Sequence, residues 1–273
     1  MNESATTPEI LLERESDWLT VRLNRPEARN ALSTTMIEAL IDAMQAARDD
    51  RGIRGITIRG NGGTFCAGGD LKGFRAVIEG ESQDEDEIAA ANRRAGDLFE
   101  LIESMPQIVV MLVEGAAIAG GLGMLCAADI VVVTRDAKFS LTETTLGVPP
   151  AQIAPFVARR VGLAAARHIM LTASRFDGQV AFSHGLANVI VDDAPDLDTE
   201  EETIRQQVRR CAPGANAATK AILLATATLD RETMKHFAGE QFARCMLSDE
   251  GREGIAAFLD KRQPQWATSG TGT

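Results

Sequence analysis

Long apolar runs, paired cysteines and clustered histidines are all missing from this chain of 273 residues. The longest apolar passage, Gly115–Ala128, is rich in glycine and too short to cross a bilayer, so no membrane segment is expected. The four cysteines have no paired spacing, which is typical of reduced thiols in a cytoplasmic protein. The three histidines lie far apart, so no metal site is expected. The N-terminal residues have no basic region and no apolar core, so no signal peptide is expected.

Positive charge is scarce relative to negative charge. The 28 lysines and arginines face 39 acidic residues, which gives a formal net charge of −11. A chain with this balance is not expected to bind nucleic acid by neutralising phosphates. Several acids fall in one run between residues 79 and 87, which is predicted to be a solvated loop. The content of 45% hydrophobic and 25% charged residues indicates a globular protein with a full hydrophobic core.

The apolar periodicity changes along the chain. In the first half it predicts a hairpin, a helix capped by Ser33, and buried strands at Gly55–Arg59 and Ile108–Val113. Each buried strand leads into a glycine-rich turn, which is typical of an α/β fold with parallel strands. After a linker predicted at Asp193–Asp198, the chain is predicted to be helical from Thr199 onward. These helices carry more apolar surface than they can bury themselves, which predicts docking on another subunit or domain; examples are Phe237, Phe242, Met246 and Phe258.

Two glycine-rich stretches carry the candidate chemistry. Gly120 and Gly121 open a short apolar helix, where unpaired N–H groups and the helix dipole suit a developing negative charge. Glu143 follows in a turn, so this stretch is either an oxyanion site facing a proton-transferring carboxylate or a packing turn with an exposed glutamate. The other stretch, Gly60–Asp70, has neither the lysine of a phosphate-binding loop nor the spacing of a dinucleotide fingerprint.

Four motifs, in the same order and spacing, resemble the crotonase (enoyl-CoA hydratase/isomerase) superfamily. The motifs are LNRPEARNAL (Leu23–Leu32), FCAGGDLK (Phe65–Lys72), EGAAIAGGLGMLCAADI (Glu114–Ile130) and FSLTETTLGVPP (Phe139–Pro150). The segments Leu171–Phe176 and Gly254–Trp266 also match, so the resemblance covers nearly the whole chain.

The resemblance implies an α/β fold with a ββα spiral core at residues 1–195. It also implies a C-terminal helical trimerisation region at residues 196–273, and a trimer or a dimer of trimers. The substrate class is acyl-CoA thioesters, with coenzyme A as part of the substrate and with no metal or redox cofactor.

The resemblance also implies roles for individual residues. The N–H groups of Gly69 and Gly120 form the oxyanion hole, and Glu143 is the general acid/base. Lys72 is either a neighbour of a CoA phosphate or a solvated lysine. The remaining expected substrate and CoA contacts are Arg25, Ala28, Cys66, Ala67, Gly68, Asp70 and Leu71. The residues alone leave Asp70 open as a turn cap and Cys66 open as a small core residue.

One position departs from the family pattern. Typical hydratases of the family carry a first glutamate where this chain has Gly123, so we expect a gap of about that size opposite Glu143. Isomerases of the family manage with a single glutamate. The segment Leu141–Gly162 resembles a hydratase branch that acts on 3-methylglutaconyl and isohexenylglutaconyl CoA esters. Arg159 and Arg160 either meet the extra carboxylate of such substrates or form a solvent-facing pair.

The favoured interpretation is a cytoplasmic hydro-lyase that adds water across the 2,3-double bond of an acyl-CoA. A branched glutaconyl-type ester is one candidate substrate in this interpretation. The alternatives are an enoyl-CoA isomerase that uses one glutamate and a non-catalytic assembly protein of the same fold. Neither a nucleic-acid partner nor a membrane partner is expected.

Overall fold

The computed structural model describes residues 7–70 and 84–268. Its main sheet has six strands in the order β1-β2-β3-β4-β6-β9, and a smaller sheet has the order β5-β7-β8. The strands are β1 (Ile10–Glu15), β2 (Trp18–Leu23), β3 (Gly55–Gly60), β4 (Ile108–Val113), β5 (Ala116–Ile118), β6 (Ile130–Thr134), β7 (Lys138–Ser140), β8 (Phe176–Asp177) and β9 (Val189–Val191). Only the β1–β2 pair of the main sheet is antiparallel. The predicted hairpin and the predicted buried parallel strands are therefore confirmed.

The helices occupy the connections between strands and all of the C-terminal part. They are α1 (Thr34–Arg48), α2 (Glu85–Glu103), α3 (Gly120–Ala127), α4 (Ala154–Thr172), α5 (Gly178–Ser183), α6 (Ala194–Arg209), α7 (Pro213–Ala225), α8 (Arg231–Leu247), α9 (Asp249–Leu259) and α10 (Gln265–Thr268), with 3₁₀ turns at Pro26–Ala28 and Glu143–Leu146. The Ser33 side chain accepts from Met36 N–H, so the predicted cap of α1 is confirmed.

Two of the predicted irregular segments are helical instead. Asp84 caps α2, and three acids fill the first turn of that helix, where negative charge interacts favourably with the helix dipole. The described end of the acidic run is therefore a helix start and not a loop. The predicted linker at Asp193–Asp198 is also wrong, because Asp193 and Asp196 form a capping box that starts α6.

The strands bury alternate residues on the two faces of the main sheet. Val109, Met111 and Val113 of β4 join the larger core, which also includes residues of α1 to α4. Val110 and Leu112 point to the opposite face, where they pack with Leu197, Ile204 and Val208 of α6. Helix α6 runs across the predicted boundary between residues 195 and 196, and the division into two regions stays a prediction.

Beyond α6 the described helices bury few residues, although the buried Lys220 of α7 bonds to Gln107 O and Asp129 beside the sheet. No residue of α8 is buried, although this helix is 17 residues long. Phe242, Met246 and Phe258 are 66%, 43% and 83% exposed. Within residues 7–70 and 84–268, no helix combines the length and apolar character needed to span a membrane.

Candidate active site

Three parallel backbone segments end side by side at one edge of the molecule. Cys66 forms an isolated parallel bridge with Ala117 of β5. On its other side, β5 pairs in parallel with β7, so that Ala117 lies opposite Phe139. Continuing each segment a few residues past this shared register leads to the three predicted catalytic residues, which are Gly69, Gly120 and Glu143. The small sheet therefore brings together groups that lie far apart in the sequence.

The loop that carries Gly69 is held by backbone hydrogen bonds on both sides. Cys66 N–H donates to Ala116 O at 2.9 Å, and Leu32 N–H donates to Gly68 O at 2.7 Å. The buried Asn30 side chain donates to two carbonyls at the start of the loop, at 2.8 and 2.7 Å. Within the described part of the chain, the N–H groups of Gly68 and Gly69 have no acceptor. Since Gly69 is also exposed, its N–H is available to a ligand.

The start of α3 supplies the second set of donors. Ala119 holds φ 50° and ψ −119°, a strained conformation for a residue with a Cβ. Its N–H donates to Ser140 O at 2.9 Å. Counting acceptors among the described residues only, none is bonded to the N–H groups of Gly120, Gly121 and Leu122.

Glycine at two positions allows the two donor segments to touch. A Cβ on Gly68, which has φ +104°, would lie 3.0 Å from Ala119 Cβ. A Cβ on Gly121 would lie 2.8 Å from both Cys66 Cβ and Cys66 O. The loop and the first turn of α3 therefore approach at backbone distance, as a two-donor oxyanion site requires.

Glu143 is the first residue of the 3₁₀ turn that follows β7. Its Oε2 atom is buried and has no hydrogen-bond partner among the described residues. Burial raises the pKa of this carboxyl, and only its own backbone acts in the opposite direction. A buried carboxyl with one unused oxygen is suited to proton transfer, and the alternative of a solvent-exposed glutamate in a packing turn does not describe it.

The expected gap at Gly123 is filled. A Cβ built on Gly123 would lie 3.0 Å from Phe99 Cε2, Phe99 Cζ and Ile153 Cγ1. Phe99 is 1% exposed and Ile153 is 7% exposed, so both belong to the packed core. The prediction of an open space the size of a glutamate side chain is therefore wrong, because α2 and the start of α4 close it with apolar groups.

The predicted CoA contacts lie around the glycine-rich loop Gly60–Asp70. The Arg25 side chain beside this loop already has partners within the protein. It forms an ion pair with Asp70 at 3.0 Å and another with Glu9 at 3.3 Å, and it donates to Ala31 O at 2.7 Å. Ala28 ends the 3₁₀ turn at Pro26–Ala28, and Ala67 N–H donates to a neighbouring carbonyl. The predicted contacts Leu71 and Lys72 lie outside the described residues.

Arg159 already pairs with a carboxylate of the protein, and all three guanidinium nitrogens of Arg160 are bonded. Arg159 donates to both carboxylate oxygens of Glu103, at 2.8 and 3.0 Å. Arg160 is half-buried and donates to Ala128 O, Leu186 O and the Asn188 side chain. The description as a solvent-facing pair is thus wrong for Arg160, which joins α4 to the loops beside it.

A cleft lies away from these residues, and its acidic lining does not suit a CoA ester. It has a volume of about 480 Å³, and its acidic lining residues are Glu114, Asp136, Asp192 and Asp193. Carboxylates repel the phosphates of coenzyme A, and three of these side chains are engaged with protein partners. The candidate site therefore rests on the geometry at Gly69, Gly120 and Glu143.

Three residues that shape the site were not identified from the sequence. Phe99 lies among the apolar residues of α2 and belongs to none of the motifs. Ile153 precedes α4, and nothing in its sequence setting marks it as a neighbour of Gly123. Ala119 bears a strain that is normally associated with glycine, so the sequence gives no signal for it.

Comparison with known proteins identifies a family and several solved structures of similar fold. Residues 13–269 match the model of the enoyl-CoA hydratase/isomerase family. The chain is similar to Pseudomonas aeruginosa AtuE, with 44% identity and a TM-score of 0.92 over 95% of this chain and 100% of that one. A solved enoyl-CoA hydratase/isomerase from Marinobacter aquaeolei is 36% identical, with a TM-score of 0.89 over 95% and 99% of the two chains.

A curated relative adds a named activity. The carnitinyl-CoA dehydratase of Proteus mirabilis is 32% identical over 254 residues, which cover 91% of this chain and 94% of the relative. The α/β architecture with a helical C-terminal part is the fold of the crotonase superfamily. Together with the family match over most of the chain, these findings establish that the protein belongs to the enoyl-CoA hydratase/isomerase family of enzymes.

Proposed function

We propose that the enzyme adds water across the 2,3-double bond of an acyl-CoA thioester. The observation that carries this proposal is the buried Oε2 of Glu143, which lies at the same edge as the N–H groups of Gly69 and Gly120. None of these three groups has a hydrogen-bond partner among the described residues. The dehydratase name of one relative supports the same reaction class in the reverse direction.

In the proposed mechanism, the thioester carbonyl oxygen accepts hydrogen bonds from Gly69 N–H and Gly120 N–H. This interaction draws electrons from the double bond and makes C3 electrophilic. The Glu143 carboxylate takes a proton from water while the water oxygen bonds to C3, and negative charge develops on the carbonyl oxygen. The resulting carboxylic acid then gives the proton to C2. One water molecule is consumed, and Glu143 returns to its starting state.

The raised pKa of Glu143 fits the second half of this cycle. A buried carboxyl holds its proton more tightly than a solvated one, because burial penalises the charged form. It is therefore able to act as an acid toward the enolate as well as a base toward water. We propose that no separate cofactor takes part, since each step is a proton transfer or an addition.

For the acyl group, we propose a branched glutaconyl-type ester as the first substrate to test. The resemblance of Leu141–Gly162 to that branch supports it, whereas the bonded side chains of Arg159 and Arg160 do not. The extra carboxylate of such a substrate would need another partner.

One observation favours a second reaction, in which the double bond moves between the C2–C3 and C3–C4 positions. The space at Gly123 is filled by Phe99 and Ile153, so no second carboxylate is present there to help hold a water molecule. In this reaction Glu143 would remove a proton from C4 and return it to C2, with no water consumed.

We further propose a cytoplasmic trimer or dimer of trimers. The exposed apolar residues of α8 and α9 support assembly, because such residues normally pack against another surface.

The non-catalytic alternative would gain support if calorimetry detected no binding of any CoA ester.

Isotope labelling distinguishes the two reactions. The enzyme is incubated in ¹⁸O-labelled water with 2-enoyl-CoA, 3-enoyl-CoA and branched glutaconyl-type esters, with Glu143→Gln as the inactive control. Hydration places the label at C3 and adds the mass of one water molecule. Interconversion of the 2-enoyl and 3-enoyl esters with no label uptake would refute the hydratase proposal.

A further inference from the structure

The side-chain direction of Gly123 leads into packed core and not into open space. Phe99 of α2 and Ile153 before α4 meet a Cβ at this position at 3.0 Å, which is closer than a Cβ normally approaches another side chain. Gly96, one turn before Phe99 on α2, allows this packing. A Cβ on Gly96 would lie 2.4 Å from the Gln152 side chain, so glycine there lets the segment with Ile153 come close.

Phe99 is fixed in this position by contacts between two helices. Its ring meets Phe156 edge to face, with centroids 5.6 Å apart and an interplanar angle of 79°. The Arg159 guanidinium lies 4.7 Å from the centroid of the Phe156 ring. Arg159 in turn bonds to Glu103, which is one turn beyond Phe99 on α2. We call these four residues the α2–α4 lock.

The α2–α4 lock resists the rearrangement that a side chain at position 123 would require. Phe99 is fully enclosed, and moving its ring would break the aromatic pair and disturb the bidentate ion pair. The lock also pairs Nη2 of Arg159 with a carboxylate of the protein.

We propose that Phe99, held by the α2–α4 lock, is a positioning residue that keeps position 123 free of a side chain and leaves Glu143 to move the proton alone. This inference rests on the proposed function, because it assigns the proton transfers of that reaction to one carboxylate. It makes the single-glutamate site a property of the packing between two helices and not of position 123 alone.

A substitution cycle tests the inference. The proteins compared are wild type, Phe99→Ala, Gly123→Glu and the Phe99→Ala/Gly123→Glu double variant. Leu98→Ala, alone and with Gly123→Glu, is the matched control, because Leu98 is also fully buried on α2 but is not among the close neighbours of Gly123. Each protein is measured by thermal unfolding and by the pH dependence of turnover.

We expect Gly123→Glu alone to lower Tm by about 5 °C or more, because a filled core must accept extra atoms and a carboxyl. Adding Gly123→Glu to Phe99→Ala should change Tm by less than about 2 °C, whereas adding it to Leu98→Ala should cost as much as in wild type. The Phe99→Ala/Gly123→Glu variant should also show a second ionisation in its pH profile, which a purely structural role of Phe99 would not produce.

Three results would overturn the inference. They are a Gly123→Glu protein as stable as wild type, a destabilised one that Phe99→Ala does not rescue, and a rescued one with a single ionisation. If the wild type converts no acyl-CoA, the proposed function fails. The thermal cycle would still decide whether Phe99 closes position 123.

Discussion

The candidate active site and the C-terminal helices α8 and α9 differ in the contacts that stabilise them. The candidate site is the edge that carries Gly69, Gly120 and Glu143. At the edge, the backbones of three segments bond to one another in register. The few N–H groups without an acceptor among the described residues are therefore candidates for binding a ligand. In α8 no residue is buried, and Phe242, Met246 and Leu247 are exposed within the described chain. The contacts of the first region thus come from one chain, whereas for the second region we propose that another copy covers the exposed apolar residues.

The largest effect is expected at the edge, from Glu143→Gln. Glutamine keeps the shape of the side chain but does not transfer the proton, so kcat should fall by about 10²–10⁴-fold while CoA-ester binding is retained. Steady-state kinetics and calorimetry measure the two quantities. A variant within a few-fold of wild type would assign proton transfer to another group and remove the basis of the comparison.

The next effect concerns the donor at Gly120. Gly120→Pro removes the N–H and should lower kcat by about 10²–10³-fold, the usual cost of losing one oxyanion donor. Gly120 is the first residue of α3, where the fixed φ of proline suits the helix. The ring also restricts the preceding Ala119, which has φ 50° and ψ −119°, so the fold of this variant has to be checked.

Gly120→Ala is the matched control, because it adds a Cβ but keeps the N–H. That Cβ would meet only the flexible end of Leu32, at 3.0 Å. Circular dichroism checks that both variants are folded. Equal activities of a folded proline variant and the alanine variant would remove Gly120 from the oxyanion site.

The helices should respond in assembly and not in chemistry. We expect light scattering to report a trimer or hexamer for the wild type. Phe258→Glu should shift the protein toward smaller species, because a buried phenylalanine is typically worth about 1.5–3 kcal/mol at each contact. Leu12→Glu is the control, since Leu12 is also exposed but lies on β1. A stable monomer in the wild type would mean that the exposed helices need no second copy.

The main elements of the fold were predictable because long segments carry strong periodic signals. Strand β4 is a continuous apolar run, β3 carries the buried Ile56 and Ile58, and the caps of α1 and α8 are ordinary side-chain caps. The small sheet gave no such signal, since β5 and β7 have three residues each and β8 has two. Its pairing is specified by contacts between distant segments, and this pairing is what assembles the site.

The sequence indicates the candidate site residues but not the side chains that pack around them. Gly69, Gly120 and Glu143 lie in motifs, so the sequence indicates them directly. The filling of the space at Gly123 depends on Phe99 and Ile153, which come from separate elements and carry no motif. The bonded states of Arg25 and Arg160 likewise depend on partners far along the chain.

The smallest expected effect separates the chemical role of Glu143 from its contribution to stability. Burial raises the pKa of the Glu143 carboxyl above the ordinary glutamate value of 4.5, so the folded protein holds this proton more tightly than the unfolded chain does. The stability that the protonated carboxyl contributes is full below that ordinary value and is lost as pH rises through the raised pKa. At pH 7, which is above the ordinary glutamate value, burying this carboxyl therefore lowers the stability of the folded protein. Glutamine does not ionise, so Glu143→Gln should have a slightly higher Tm than wild type at pH 7, and the gain should shrink as pH falls toward 4.5. Glu100→Gln, on the exposed face of α2, is the control and should leave Tm unchanged at pH 7. A Glu143→Gln protein that is no more stable than wild type at pH 7 would mean that the buried carboxylate is stabilised by a partner. The edge would then hold no unpartnered reactive carboxyl, and the contrast with the helices would fail.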